Sequence, residues 1–175
     1  MALHTAFSET VCNAYLEMLE QWIQQGEINH NTIVEIGCGR GDIIGNLRYV
    51  DKVGFDINEE VIRAAKIFHT NTTFYVGSFP DVHIGEIEAI IMVNFIHEIS
   101  PEKLKKLIEK MIENNKIRIF IIDILKHNVH SCYKYCHDGS YLLGGKGYQL
   151  IFSSREYKAA DSALRHVEYW CRPDY

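Results

Sequence analysis

Residues 33–42 read IVEIGCGRGD: a short branched-aliphatic run interrupted by one acid, then glycines at positions 37, 39 and 41, closed by a second acid. A strand that runs straight into a glycine turn is the arrangement by which open α/β sheets grip a ligand at the C-terminal ends of their strands. Glycine supplies positive φ and lets foreign atoms approach the backbone. Two common ligands are disfavoured at once. A dinucleotide fingerprint places its third glycine at position 42, which is Asp42, and a phosphate loop needs Gly-Lys-Ser/Thr, which this turn lacks.

The pattern around this turn alternates between strand and helix signals. Helical spacing of Val11, Tyr15, Met18, Leu19, Trp22 and Ile23 predicts a helix over 8–25, with Ser8 as cap and Gly26 as stop. Strands are predicted at 32–37, 52–57, 72–77, 87–95 and 116–125, the fourth apolar nearly throughout, as a strand covered on both faces would be. Between them the sequence predicts a short helix at 42–48, one at 58–69 capped by Asn58, and one at 100–115. The last has Ser100 as cap and Pro101 in the first turn. The remainder reads as a long connection over 126–152, a helix over 153–163 and a final strand over 164–172. The implied fold is α/β, a Rossmann-like and mainly parallel sheet with helices on both faces. The 175 residues make one domain, 1–175.

The net charge of −5 gives no broad attraction for a nucleic-acid backbone. No apolar run reaches the roughly 20 residues of a membrane span. The five cysteines are scattered and odd in number, which reads as reduced thiols in a cytoplasmic protein.

VEIGCGRGD closely resembles the first motif of class I S-adenosylmethionine-dependent methyltransferases, and later segments follow that family's order across roughly 32–125. The resemblance implies S-adenosylmethionine as cofactor. Gly37, Cys38, Gly39 and Gly41 would meet its methionine moiety through the backbone. Glu35 would support the turn or reach the amino group. Asp56, 19 residues after Gly37, would accept the ribose hydroxyls, with Ile57 beside it. Ser78 and Phe79 would contact adenine in place of the acid the family often has there, with Asp81 as a substitute. Asn94, Phe95 and His97, in NFIH, would lie near the transferred methyl, with His97 as a base. That tetrapeptide lacks the prolines typical of nucleobase-amino methylation. Segments before the first motif commonly form a lid, so residues 1–30, with His4, Phe7 and Tyr15, are expected to close over the site.

The connection 126–152 is expected to form the substrate loop, with Tyr133, Tyr135 and Tyr141 lining an acceptor pocket with His97 and Tyr15. Its histidines and cysteines (His127, His130, Cys132, Cys136, His137) fit no common zinc spacing, and no metal is expected. The family usually ends in a two-strand antiparallel hairpin. Only one such strand is evident here, so the last strand is expected to be absent, leaving an open sheet edge and a homodimer as consequence. The expected activity is methyl transfer to a small-molecule acceptor. The alternatives are an RNA- or protein-directed methyltransferase and a non-catalytic cofactor-binding regulatory subunit.

Overall fold

The computed structural model describes residues 9–28, 32–48, 51–126, 133–158 and 163–173. Five parallel strands lie in the order β3-β2-β1-β4-β5. They are β1 (Ile33–Ile36), β2 (Lys52–Asp56), β3 (Thr73–Val76), β4 (Glu86–Met92) and β5 (Lys116–Leu125). Chain order reverses between β1 and β4, so the loops leaving those two strands border the crevice where such sheets bind ligands. β4 and β5 are buried almost end to end, because helices cover both faces.

One face packs on α1 (Glu9–Gln24) and α2 (Glu59–Phe68), with Leu19, Trp22, Ile62 and Ala65 against Ile33, Ile91, Ile119 and Ile121. The other packs on α3 (Pro101–Asn114) and the short α4 (Gly139–Leu143), which set Leu104, Ile108, Met111 and Leu142 against Val34, Ile90, Phe120 and Ile122. Burial of each such Leu, Ile, Val, Phe or Met side chain stabilises the fold by about 1.5–3 kcal/mol. The start signals act locally as read. Asn58 Oδ1 accepts from the N–H groups of Glu60 and Val61, and Ser100 Oγ accepts from that of Lys103. The Ser8 cap lies outside the described residues.

Three expectations are corrected. The first concerns the C-terminus. β6 (Gln149–Ser153) and β7 (Tyr157–Lys158) both pair antiparallel with β8 (Leu164–Cys171), and β8 in turn pairs antiparallel with β5. The last strand, expected to be absent, is therefore present. The second concerns the helix expected at 153–163. Its described part runs as a strand edge, because Ser154 bonds across to Val167 through both its N–H and its Oγ instead of capping a helix. Long-range pairing outweighs helical propensity there. The third concerns 42–48, where a single 3-10 turn at Ile44–Asn46 replaces the helix. Lys52 Nζ donates to the carbonyls of Gly45 and Leu47, at 3.0 and 2.8 Å, ending the coil and tying it to the start of β2. The connection 126–152 likewise contains α4 and β6. Among the described residues, no helix is long and apolar enough to cross a membrane.

Candidate active site

The glycine turn takes the conformation that its residues permit. Gly37, Gly39 and Gly41 have φ of 72°, 54° and 81°. At Gly37 a Cβ would stand 2.4 Å from the Phe95 ring, so the loop leaving β4 rests directly on this glycine. At Gly39 a Cβ would meet nothing within 4 Å, so this side of the turn faces open space. Cys38 turns the other way. Its Sγ is buried near Gly54 and its thiol is pushed up by burial, leaving only its backbone toward the turn.

Asp56 ends β2 opposite the turn. Its Oδ2 accepts from the Gly39 N–H at 3.0 Å and its Oδ1 from the Asn58 N–H at 2.9 Å. A carboxylate has about four acceptor positions, so each oxygen keeps one for a ligand hydroxyl. Next to it Ile57 is 78% exposed, an apolar side chain with no core to enter. Glu35 is buried beneath the turn, and its Oε2 accepts from the Ile44 N–H at 3.0 Å. Its place is as a support. Burial pushes its carboxyl up to about 8, helped by the nearby charges of Asp42 and Asp56.

The expected adenine contacts are arranged differently from the sequence reading. Ser78 and Asp81 satisfy each other: the Ser78 N–H and Oγ both bond Asp81 Oδ2, at 2.7 and 3.1 Å. Phe79 is 3% exposed and packs against Phe95 at 5.7 Å, within the core beneath the site. An aromatic ring this close to the apolar face of the sheet gains more from core burial than from facing solvent. The exposed apolar side chains on this flank are Ile57 and, at the end of β3 opposite Asp56, Val76.

Beyond the turn, at the C-terminal ends of β4 and β5, lies a polar cluster. Asp123 is fully buried. Its Oδ1 accepts from the Asn94 N–H at 3.0 Å. Its Oδ2 accepts from Arg165 Nη1 at 3.0 Å and faces His97 Nε2 at 3.4 Å. Burial alone would raise this carboxyl, but His97, Arg165 and the Asn94 N–H together hold it below the usual carboxylate range. Arg165 Nη1 also donates to Asn94 Oδ1, and Nη2 to the Tyr133 hydroxyl, at 2.6 and 2.7 Å. The Tyr133 hydroxyl donates in turn to Asn94 Oδ1 at 3.3 Å.

His97 is wholly enclosed. Its ring stacks on His137 at 5.9 Å, and His137 Nε2 donates to the Ile96 carbonyl at 2.9 Å. Enclosure corrects the reading of His97 as a base in contact with acceptor: its partner is Asp123. Tyr15, from α1, is buried with its hydroxyl on that of Tyr157. Its own ionisation is pushed up first by burial and next by the charge of Asp123.

Of the expected pocket tyrosines, Tyr15 and Tyr133 come together at this cluster. Tyr135 reaches it only through its N–H, which donates to the His97 carbonyl. Tyr141 sits on the α3 flank under Lys105 Nζ, at 4.2 Å, because α4 carries it onto that helix. His4, Phe7, His127, His130 and Cys132 lie outside the described residues. Sequence reading missed Asp123, Tyr157 and Arg165. One signal was available: Asp123 follows Ile119 and Ile121 at strand spacing on a face otherwise fully apolar.

A sheet ordered β3-β2-β1-β4-β5-β8-β6, with a glycine turn after β1 and an acid ending β2, is the fold of S-adenosylmethionine-dependent methyltransferases. Magnesium protoporphyrin IX methyltransferase from Synechocystis PCC 6803 with bound S-adenosylmethionine superposes with a TM-score of 0.74 at 15% identity, over 94% of this chain and 79% of that one. The same enzyme with bound S-adenosylhomocysteine gives 0.76 at 14% identity, over 92% and 83%. An S-adenosylmethionine-dependent methyltransferase from Clostridium acetobutylicum ATCC 824 gives 0.66 at 10% identity, over 96% and 92%. At such identities the likeness is one of fold. No protein-family model matches the chain, and no curated protein matches it in sequence.

Proposed function

We propose that this protein transfers the methyl group of S-adenosylmethionine to a small-molecule acceptor. The observation that carries the reading is the joined pair of glycine turn and acid: the Gly39 N–H held by Asp56 Oδ2 at 3.0 Å, with open space on the Cβ side of Gly39. The residues fit the cofactor. Asp56 keeps acceptor capacity for a ribose diol, Ile57 offers an exposed apolar side chain beside it, and backbone at Gly37 and Gly39 can lie against the amino-acid part. When bound, S-adenosylmethionine supplies an electrophilic methyl on a sulfonium.

The chain's own residues orient and enclose. Glu35 holds the turn from below, Phe95 closes its β4 side, and Asn94, Tyr133 and Tyr157 lie in the polar cluster at the C-terminal ends of β4 and β5. Alignment of reactants is the main contribution such a site makes to rate. A net charge of −5 supports a compact acceptor over a polyanion. The scattered cysteines support a cytoplasmic setting.

Calorimetric titration with S-adenosylhomocysteine tests the reading. Saturable binding is expected, and Asp56→Ala should weaken it by about tenfold or more, the loss of charge-assisted hydrogen bonds worth about 1.5–3 kcal/mol. Absence of binding by the wild-type protein overturns the reading. Labelled methyl transfer to a panel of small hydroxyl, amine, thiol and carboxylate compounds then identifies the acceptor. Binding with no transfer to any of them favours a regulatory subunit.

A further inference from the structure

We infer that Arg165 and Asp123 are positioning residues: they clamp Asn94 in a left-handed backbone conformation and thereby seat the loop leaving β4 on the glycine turn. The functional side of this inference rests on reading that turn as the cofactor site.

Among the described residues Asn94 is the only non-glycine with positive φ, at 71°. Asparagine tolerates that region better than most residues, yet it remains uncommon and needs surroundings that enforce it. Here the enforcement is explicit. The Asn94 N–H is held by Asp123 Oδ1, and its Oδ1 takes bonds from Arg165 Nη1 and the Tyr133 hydroxyl. One guanidinium nitrogen, Nη1, bridges the Asn94 amide and the Asp123 carboxylate at 2.6 and 3.0 Å. The second, Nη2, binds Tyr133, and the guanidinium carbon lies 4.9 Å from the centre of that ring. A planar fork can reach all three groups in one geometry, whereas an ammonium cannot.

The consequence lies one residue further on. With Asn94 turned this way, the Phe95 ring occupies the volume a Cβ on Gly37 would need. A continuous set of contacts therefore runs from β8 through β5 and the β4 exit to the glycine turn of β1. Arg165 is 0% exposed, so it acts through Asn94 and not on a ligand. His97, on the other side of Asp123 Oδ2, completes the enclosure of that carboxylate.

Amide hydrogen exchange on the full chain without ligand tests the clamp. Arg165→Lys is expected to speed exchange at residues 94–96 by about tenfold, the signature of a locally opened segment. Arg118→Lys serves as control, since that arginine pairs with Glu88 at the opposite end of β5 and should leave 94–96 unchanged. Equal exchange in wild type and Arg165→Lys overturns the inference. Should Arg165→Lys fail to fold, Asn94→Ala at a partly exposed position keeps the N–H to Asp123 and removes Oδ1. Faster exchange at residues 95 and 96 supports the clamp, and unchanged exchange overturns it.

Titration with S-adenosylhomocysteine gives the functional half. Arg165→Lys should weaken binding about tenfold, near 1.4 kcal/mol, while Arg118→Lys binds as wild type does. Faster exchange with unaltered affinity would overturn the positioning role. If the wild-type protein binds no S-adenosylhomocysteine, the cofactor reading fails and the exchange result alone decides the clamp.

Discussion

Glu35 interrupts the apolar run of β1, and its burial ties folding to pH. In the unfolded chain it ionises near 4.5, whereas in the fold its carboxyl is held up to about 8, first by burial. Between those values the folded state keeps a proton that the unfolded state releases, so stability falls as pH rises. The contribution is full below about 4.5 and lost by about 8. Glu35→Gln keeps an acceptor for the Ile44 N–H without the ionisation. Its urea midpoint should therefore change less between pH 5 and pH 8, and at pH 8 the variant should be more stable than wild type by about 1 kcal/mol or more. A parallel pH dependence in both proteins would refute this. The glycine turn and the acid facing it were legible because glycines at 37, 39 and 41, and an acid ending the next strand, are local features of the sequence. Phe79 was not legible in the same way. Its position in the sequence suits a stacking ring, but whether the ring faces ligand or core depends on Phe95, a contact the local sequence does not contain.

The elements fall into two groups. α2, α3 and the five parallel strands followed from local signals: Asn58 and Ser100 cap their helices with their own side chains, and β4 declares its double burial by composition. The turn after residue 42 and the strands that pair with β8 at the C-terminus did not, although β8 itself was read as a strand over 164–172. At 42–48 the decisive group is Lys52, a buried lysine whose pKa is lowered by burial and whose ammonium satisfies two carbonyls. Lys52→Met would leave both acceptors unpaired. It is expected to destabilise the fold by about 2 kcal/mol, read as a lower denaturant midpoint with unchanged m-value. Little or no loss would show that water replaces the ammonium there. Over 153–158 the sequence reads as a helix start, and pairing with β8 decides otherwise because the ladder satisfies a whole row of backbone groups at once.

At the scale of the whole molecule, the sheet leaves an open margin at β6. Along β6, Leu150, Ile151 and Phe152 are 45%, 57% and 42% exposed, and the strand carries no charge. Edge strands of this kind pair with other chains unless charge or proline blocks them. Reversible self-association is expected, and Ile151→Lys should reduce it in sedimentation velocity across a concentration series. A wild-type protein that stays monomeric throughout would sink the expectation. The open margin anticipated from a lost strand thus exists, but at β6, after the hairpin is complete.

The sequence by itself determined the parallel core, the glycine turn after β1 and the acid facing it. Each is written in neighbouring residues, through glycine's freedom at positive φ, strand periodicity and capping. Only the tertiary structure decided that the chain closes with β8 between β5 and β6. It also decided that Asp123, Arg165, His97 and Tyr133 meet, and that His97 is enclosed by them. Those outcomes depend on side chains from strands and loops far apart in sequence being brought into one low-dielectric space, where a buried charge must find its partners.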